Sequence, residues 1–388
     1  MQQSSYVLLP LLALGLNASG CGDEFPPGSC EASVAPTCEI QEAECVEQYS
    51  DHVACIRGVE AETPMLTVLS EAEMAMRFES EPSVIDPCLR LAQLEAFAEP
   101  PESDDPPAVS AYYDFDDKTV FVVPPGDSRS LLRIVAMAQL DAERDLLGEI
   151  SSAGTFDGKL ARRSRLFGEA RFFGDAAWWK IEPIATDDLR NFVDNNIYYE
   201  DELAKVLQVV RVPDLGLDVL IAVFDFYGAQ YVRDRWLADD LVSATGDLRS
   251  SEIIGGQAQA ETGGQWTEPS AEGYTVQWAD SMGAFLAHVH FTRTNPPEPE
   301  EPEESIATDR ERLSTLVNLF AGDRMTCLYN SEQESAALVW EIMLDDPSAL
   351  PYTLAPGIFG AKQVVLGDRI VIAAAEDSTV VDALLAEF

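Results

Sequence analysis

Between Asp127 and Ile150 the apolar residues Leu131, Val135, Ala138, Ala142 and Leu146 recur at intervals of three or four, which places them on one face of an α-helix. Asp127 or Ser128 supplies an N-cap, and Gly148 marks the end. Just before this helix, Thr119-Val120-Phe121-Val122-Val123 reads as a strand closed by Pro124-Pro125-Gly126. After it, Gly154-Thr155-Phe156-Asp157-Gly158 reads as a turn and Lys159 to Trp179 as a second long helix. Helical periodicity returns at Asp187 to Tyr198, Asp201 to Val210, Leu217 to Leu237, Trp278 to Phe291 and Asp309 to Phe320. Near the C-terminus strand-like runs (Ala336 to Leu344, Gln363 to Leu366, Arg369 to Ala374) precede a last helical stretch, Thr379 to Phe388. The succession predicts an α+β domain, predominantly helical, over residues 64–388.

The ends and interruptions of this pattern differ in kind. Glu71 to Phe97 carries helical spacing broken by Pro82 and Pro87, so it predicts two helices split by a turn. The acidic, proline-rich stretch around residues 295–305 predicts an unfolded loop. Tyr6 to Leu16 is apolar but too short to span a bilayer, so residues 1–20 read as a signal peptide. Ala18-Ser19-Gly20-Cys21 resembles a bacterial lipobox, which implies lipidation of Cys21 and a chain held at the cell envelope by that lipid alone. Ordinary secretory cleavage, leaving the protein secreted or periplasmic, is the alternative. Residues 21–63 then form a tether and a small cysteine-rich cap with a helical piece around Ala43 to Cys55.

Composition narrows the chemistry. The 46% hydrophobic content is ample for a core. A formal charge of −43 repels phosphates, excluding a nucleic-acid role, and would attract basic partners or weakly held calcium. Cys30, Cys38, Cys45, Cys55, Cys88 and Cys327 make an even set for disulfides in an oxidising compartment, with connectivity left open. None of them forms a Cys-x-x-Cys pair, which argues against a zinc knuckle.

Zinc hydrolysis needs two imidazoles one helical turn apart and a carboxylate to activate water. In the 127–150 helix the corresponding positions hold Met137, Ala138 and Asp141. Met is a poor zinc ligand, Ala accepts no proton, and one carboxylate does not hold catalytic zinc. The histidines are His52, His288 and His290; the last two lie two apart on a helical pattern and diverge, reading as ordinary packing residues. The aromatic pairs Tyr112-Tyr113, Trp178-Trp179 and Tyr198-Tyr199 read as packing, with a binding groove as the alternative.

From Thr119 onward the chain resembles a family of bacterial exported or lipoprotein zincin-like metallopeptidases. That family has a strand, then His-Glu-x-x-His-Ala-x-x-Asp-Gln, then an Arg-rich helix with Glu-Gly-(Asp/Glu)-Ala. Ala142 and Asp145 match the positions after the second ligand, and Arg162-Arg163 with Gly168-Glu169-Ala170 match the second helix, Phe167 standing at the third-ligand position. Phe224 to Val232 is similar to the family's aromatic-Tyr-x-x-Gly-x-x-Phe-Val helix. Ser250 to Ile254, Asp280 to Phe285 and Ala321 to Arg324 are similar to its Ser-Thr-Glu-Gln-Ile, Asp-Thr-Leu-Gly-Glu-Phe and Gly-Gly-Asp-Arg segments. The resemblance implies a zincin-like fold whose metal site has degenerated at Met137, Ala138, Asp141 and Phe167. It thus implies no catalytic residues, no zinc, and a binding or structural role toward an unidentified protein or peptide. The enzyme alternative is a non-standard carboxylate site built from Asp141, Glu143 and Glu169.

Overall fold

The computed structural model describes residues 42–78, 87–88, 91, 110–179, 186–197, 199, 203, 217–241, 248–255, 265–294, 302–352 and 361–388. Within them helix predominates in a mixed α+β arrangement with two sheets. The signal, Cys21, Cys30, Cys38 and most of residues 79–109 lie outside the described residues, as does nearly all of the helix expected at Asp201 to Val210.

Helix α1 (Ala43–Arg57) falls in the segment expected to form a cap, yet Cys45, Tyr49, Val53 and Ile56 join the main core. A strand the pattern did not predict follows, β1 (Met65–Val68), then α2 (Glu71–Phe78). β2 (Ala111–Asp114) and β3 (Thr119–Val122) form a hairpin, and β1 pairs parallel to β3, giving the order β1-β3-β2. The central strand is buried on both faces. Val120 and Val122 point into the main core, whereas Phe121 joins Met74 of α2 beneath Tyr112.

The helix predicted from Asp127 to Ile150 is two helices, α3 (Ser128–Arg144) and α4 (Leu146–Ser151). Asp127 caps the first through Arg129 N and Ser130 N. Asp145, at φ 50°, turns the chain left-handed and caps the second through Gly148 N, so the break falls earlier than Gly148. α5 (Phe156–Trp179) begins inside the predicted turn, with Asp157 in its first helical turn. It crosses α3 and α7 (Leu217–Leu237), with α6 (Thr186–Asn196) alongside α7. The α5–α7 crossing is backbone to backbone: a Cβ at Gly168 would stand 2.2 Å from the carbonyl carbon of Gly228, and one at Gly228 would stand 1.8 Å from Ser164 O.

The second half is a five-stranded antiparallel sheet, β4-β5-β6-β8-β7, formed by β4 (Thr275–Asp280), β5 (Phe320–Asn330), β6 (Ser335–Leu344), β7 (Lys362–Leu366) and β8 (Arg369–Ala375). α8 (Ser250–Gly255), α9 (Gly283–Thr294) and α10 (Pro302–Leu319) pack together on its core side, and α11 (Ser378–Leu385) covers the other face. Two expectations change here. Trp278 to Asp280, expected to open a helix running to Phe291, instead closes strand β4, which pairs with β5 through a bulge between Val276 and Trp278, and the helix starts at Gly283. Residues 302–305, expected within the acidic loop, open α10, with proline at its first position and glutamates in its first turn, both favourable at a helix N-terminus.

Cys88 and Cys327 form a disulfide across 239 residues of sequence, with Cα atoms 5.8 Å apart. Cys45 and Cys55 are also disulfide-bonded. They lie ten residues apart on α1, about 15 Å along its axis, so their partners are outside the described residues.

Candidate functional site

Met137, Ala138 and Asp141 lie on α3 and Phe167 on α5, two helices that pack together, and hydrogen bonding here centres on Asp141. Its side chain is fully buried, and its three partners come from two directions. Tyr113 Oη of β2 donates to Oδ2 at 2.8 Å, Lys118 Nζ lies 2.5 Å from the same oxygen, and Leu146 N donates to Oδ1 at 3.0 Å. The hairpin delivers Lys118: Asp114 Oδ1 accepts from Asp116 N and Asp117 N, and Lys118 takes φ 51° to re-enter β3. Burial, and then the carboxylate it serves, hold the Tyr113 phenol well above its ordinary pKa.

Phe167 is joined to this group through aromatic contacts rather than through polar ones. Its ring stacks on Phe115 at 6.0 Å, and Phe115 meets Tyr113 edge-on at 5.0 Å. Ala138 is buried, and Met137 packs half-buried against the core. These four positions therefore hold one carboxylate with an ammonium counter-ion, one phenyl ring and two apolar side chains.

Asp141, Glu143 and Glu169 do not act as one cluster. Asp141 is held by Lys118, Glu143 by Arg57 of α1 at 2.7 Å, and Glu169 by Arg144 at 3.1 Å. Arg144 also grips Glu149 through two nitrogens. Each carboxylate has its own cation. Among the described residues no group of three or more His, Cys, Asp or Glu side chains is arranged to hold a metal ion.

The histidines are core residues. His288 and His290 are buried on α9, the first 2.5 Å from Tyr352 Oη and the second edge-on to Trp340. His52 Nε2 lies 2.9 Å from Ala177 O. Tyr113 and Tyr199 are likewise buried, and each donates its hydroxyl to a carboxylate, Asp141 and Asp175 respectively.

A second site was not foreseen as a unit. The segments around Asp157, Ser250, Asp280 to Gly283 and Asp323 converge on one buried knot. Asp323 Oδ1 accepts from Ser281 Oγ (2.7 Å) and Gly283 N (3.0 Å); its Oδ2 accepts from Met282 N (2.8 Å) and Trp340 Nε1 (2.7 Å). Asp280 Oδ1 accepts from Phe156 N at the start of α5, and Asp157 N donates to Ser281 O. Asp157 accepts from Ser250 N, at 3.2 and 3.4 Å, and from the Ser250 side chain. Gly283, at φ 86°, is required: a Cβ there would lie 1.8 Å from Asp157 Oδ1. Burial pushes Asp157 up to about 7 and raises Asp323 as well. The knot ties α5, α8, β4, α9 and β5 together, and it is enclosed.

Comparison with protein-family models, with curated proteins and with solved structures finds no match to this chain.

Proposed function

We propose that this chain is an exported lipoprotein whose metallopeptidase-like domain has lost its metal chemistry and serves a binding or structural role in the bacterial envelope. The surroundings of Asp141 carry the reading. At the second-ligand position implied by the resemblance, the carboxylate is engaged by an ammonium, a phenol and a backbone N–H. Around it Met137, Ala138 and Phe167 offer neither an imidazole nor a base. The order strand β3, helix α3, helix α5 agrees with the resemblance, as do the glycines at the α5–α7 crossing. The enzyme alternative is weaker because Asp141, Glu143 and Glu169 each hold a different cation.

Among the described residues no helix is long and apolar enough to cross a membrane, and the proposal places the membrane link at Cys21. Metal analysis and casein hydrolysis of the purified protein test the reading together. We expect sub-stoichiometric zinc and no chelator-sensitive cleavage; stoichiometric zinc with such cleavage overturns it. Separately, a Cys21→Ser variant should leave the membrane fraction.

A further inference from the structure

α5 is enclosed on nearly all sides. From Leu160 to Ala177 only Arg162, Arg163, Phe167 and Arg171 remain half-open. Arg163, Phe167 and Arg171 follow one another at intervals of four and so form a single seam, about 12 Å long. The Arg163 guanidinium lies 4.3 Å from the Phe167 ring centre, and that of Arg171 lies 3.7 Å from the centre of Phe226 on α7.

The charges along this seam run against the rest of the chain. The protein has 68 acidic residues against 25 lysines and arginines, and most of its described arginines pair with a carboxylate. Arg171 does not: it has no hydrogen-bond or ion-pair partner among the described residues. Its neighbours are already committed. Arg129 and Arg133 both bind Asp175, at 2.8 and 2.7 Å. Arg163 sits 3.6 Å from Asp225 Oδ2, while Asp225 Oδ1 is buried without a hydrogen-bond partner. Arg133 and Arg163 thus engage the two carboxylates nearest Arg171, whose own guanidinium makes no direct ion pair among the described residues. Burial and then the nearby Arg133 guanidinium lower Arg171 from its ordinary value, with the Asp175 and Asp225 carboxylates acting in the opposite sense from a distance. Enclosed charges are normally paired, and the exception marks a place where a ligand completes the pairing.

We propose that the α5 seam binds a carboxylate-bearing peptide, with the carboxylate held in the fork of Arg171 and an apolar side chain laid against Phe167 and Phe226. A planar carboxylate suits one uncommitted guanidinium, which offers two parallel N–H donors. A phosphate dianion suits several free cations, and Arg163 already shares its charge with Asp225. The seam passes through Phe167, so this inference specifies the ligand of the binding role proposed above. It rests on α5 and α7 geometry and does not require the metallopeptidase ancestry.

The test is calorimetric titration of the full-length protein with acetyl-Ala-Phe, carrying a terminal carboxylate, acetyl-Glu-Phe-amide, carrying a side-chain carboxylate, and acetyl-Gln-Phe-amide, carrying neither. At least one acid peptide should bind and the neutral one should not; which acid binds identifies the source of the carboxylate. Arg171→Gln should weaken the acid peptide at least about tenfold, and Arg171→Lys should recover only part of that loss. Equal binding of all three peptides, no binding of any, competition by equimolar inorganic phosphate, or an Arg171→Gln variant of unchanged affinity overturns the proposal. If Arg171→Gln does not fold, Phe226→Leu serves, with the same direction expected. A zinc-free protein that ignores the acid peptides refutes this inference alone; a zinc-loaded, casein-cleaving protein that binds them through Arg171 refutes the proposed function alone.

Discussion

Asp157→Asn should make the protein more stable at neutral pH, although it alters a buried hydrogen-bonded residue. Asp157 is enclosed in the knot at the start of α5, facing Asp323, with Arg249 the favourable charge nearby and Ser250 its hydrogen-bond partner. Asp323 keeps four donors, so the negative charge of the pair is better supported there. Asp157 therefore retains its proton up to about pH 7, whereas an unfolded aspartate releases it near 3.9. Between those values the folded chain binds one proton more than the unfolded chain, so stability falls as pH rises through the window. Each pH unit removes about 1.4 kcal/mol, and the loss approaches an order of 4 kcal/mol at neutral pH. An asparagine has the same shape, still accepts from Ser250 N and carries no charge. Urea unfolding at pH 5, 6, 7 and 8 reads the effect. The variant's margin over the parent should widen by a few kcal/mol between pH 5 and pH 8. Asp225 is raised to about 7 by burial in the same way, so part of the parent's slope should persist in the variant. A stability difference that does not change between pH 5 and pH 8 would refute the argument.

Two further perturbations probe the crossings. Lys118→Met leaves the buried Asp141 carboxylate without its cation and should cost about 2 kcal/mol, the usual penalty for an orphaned buried charge being reduced because Lys118 is half exposed; pairing it with Asp141→Asn should recover most of that loss in chemical denaturation. Gly228→Ala forces a methyl group to 1.8 Å from Ser164 O and should cost about 3 kcal/mol or abolish folding, whereas alanine at exposed Gly154, with nothing within 4 Å, should be tolerated.

Much of the architecture could be read from the chain because periodicity reports burial. α3 and β3 were legible as a one-sided helix and an apolar run, and the aspartate cap was legible from its type and place. The break at Asp145 was not, since the apolar spacing continues through Leu146 and only a left-handed residue interrupts the helix. β5 was hidden for a different reason: α10 ends at Leu319 and the strand starts at Phe320, with no glycine, proline or polar turn between them. At the candidate site, the residue types at Met137, Ala138, Asp141 and Phe167 were legible, but the pairing of Asp141 with Lys118 was not. That lysine lies 23 residues from Asp141, and only the hairpin brings them together. The knot's segments were each legible as separate motifs; nothing in 68 acidic residues singles out Asp157 and Asp323 as the pair that meets. The seam on α5 was present in the sequence as Arg163, Phe167 and Arg171 at helical spacing. Its meaning depends on the rest of that helix being covered, which a local pattern does not reveal.

The Cys88–Cys327 bond has a consequence for survival of proteolysis. A protease that cuts once anywhere between those two residues opens the chain without releasing either piece. Both fragments stay covalently joined, and the segment carrying the N-terminus remains attached to the central strands of the second sheet. Such a nicked molecule would migrate as an intact species until reduced and would keep its position wherever its N-terminus is fixed. Wherever the chain meets a protease, that single bond turns a cut in most of its length from a loss of the molecule into a scar.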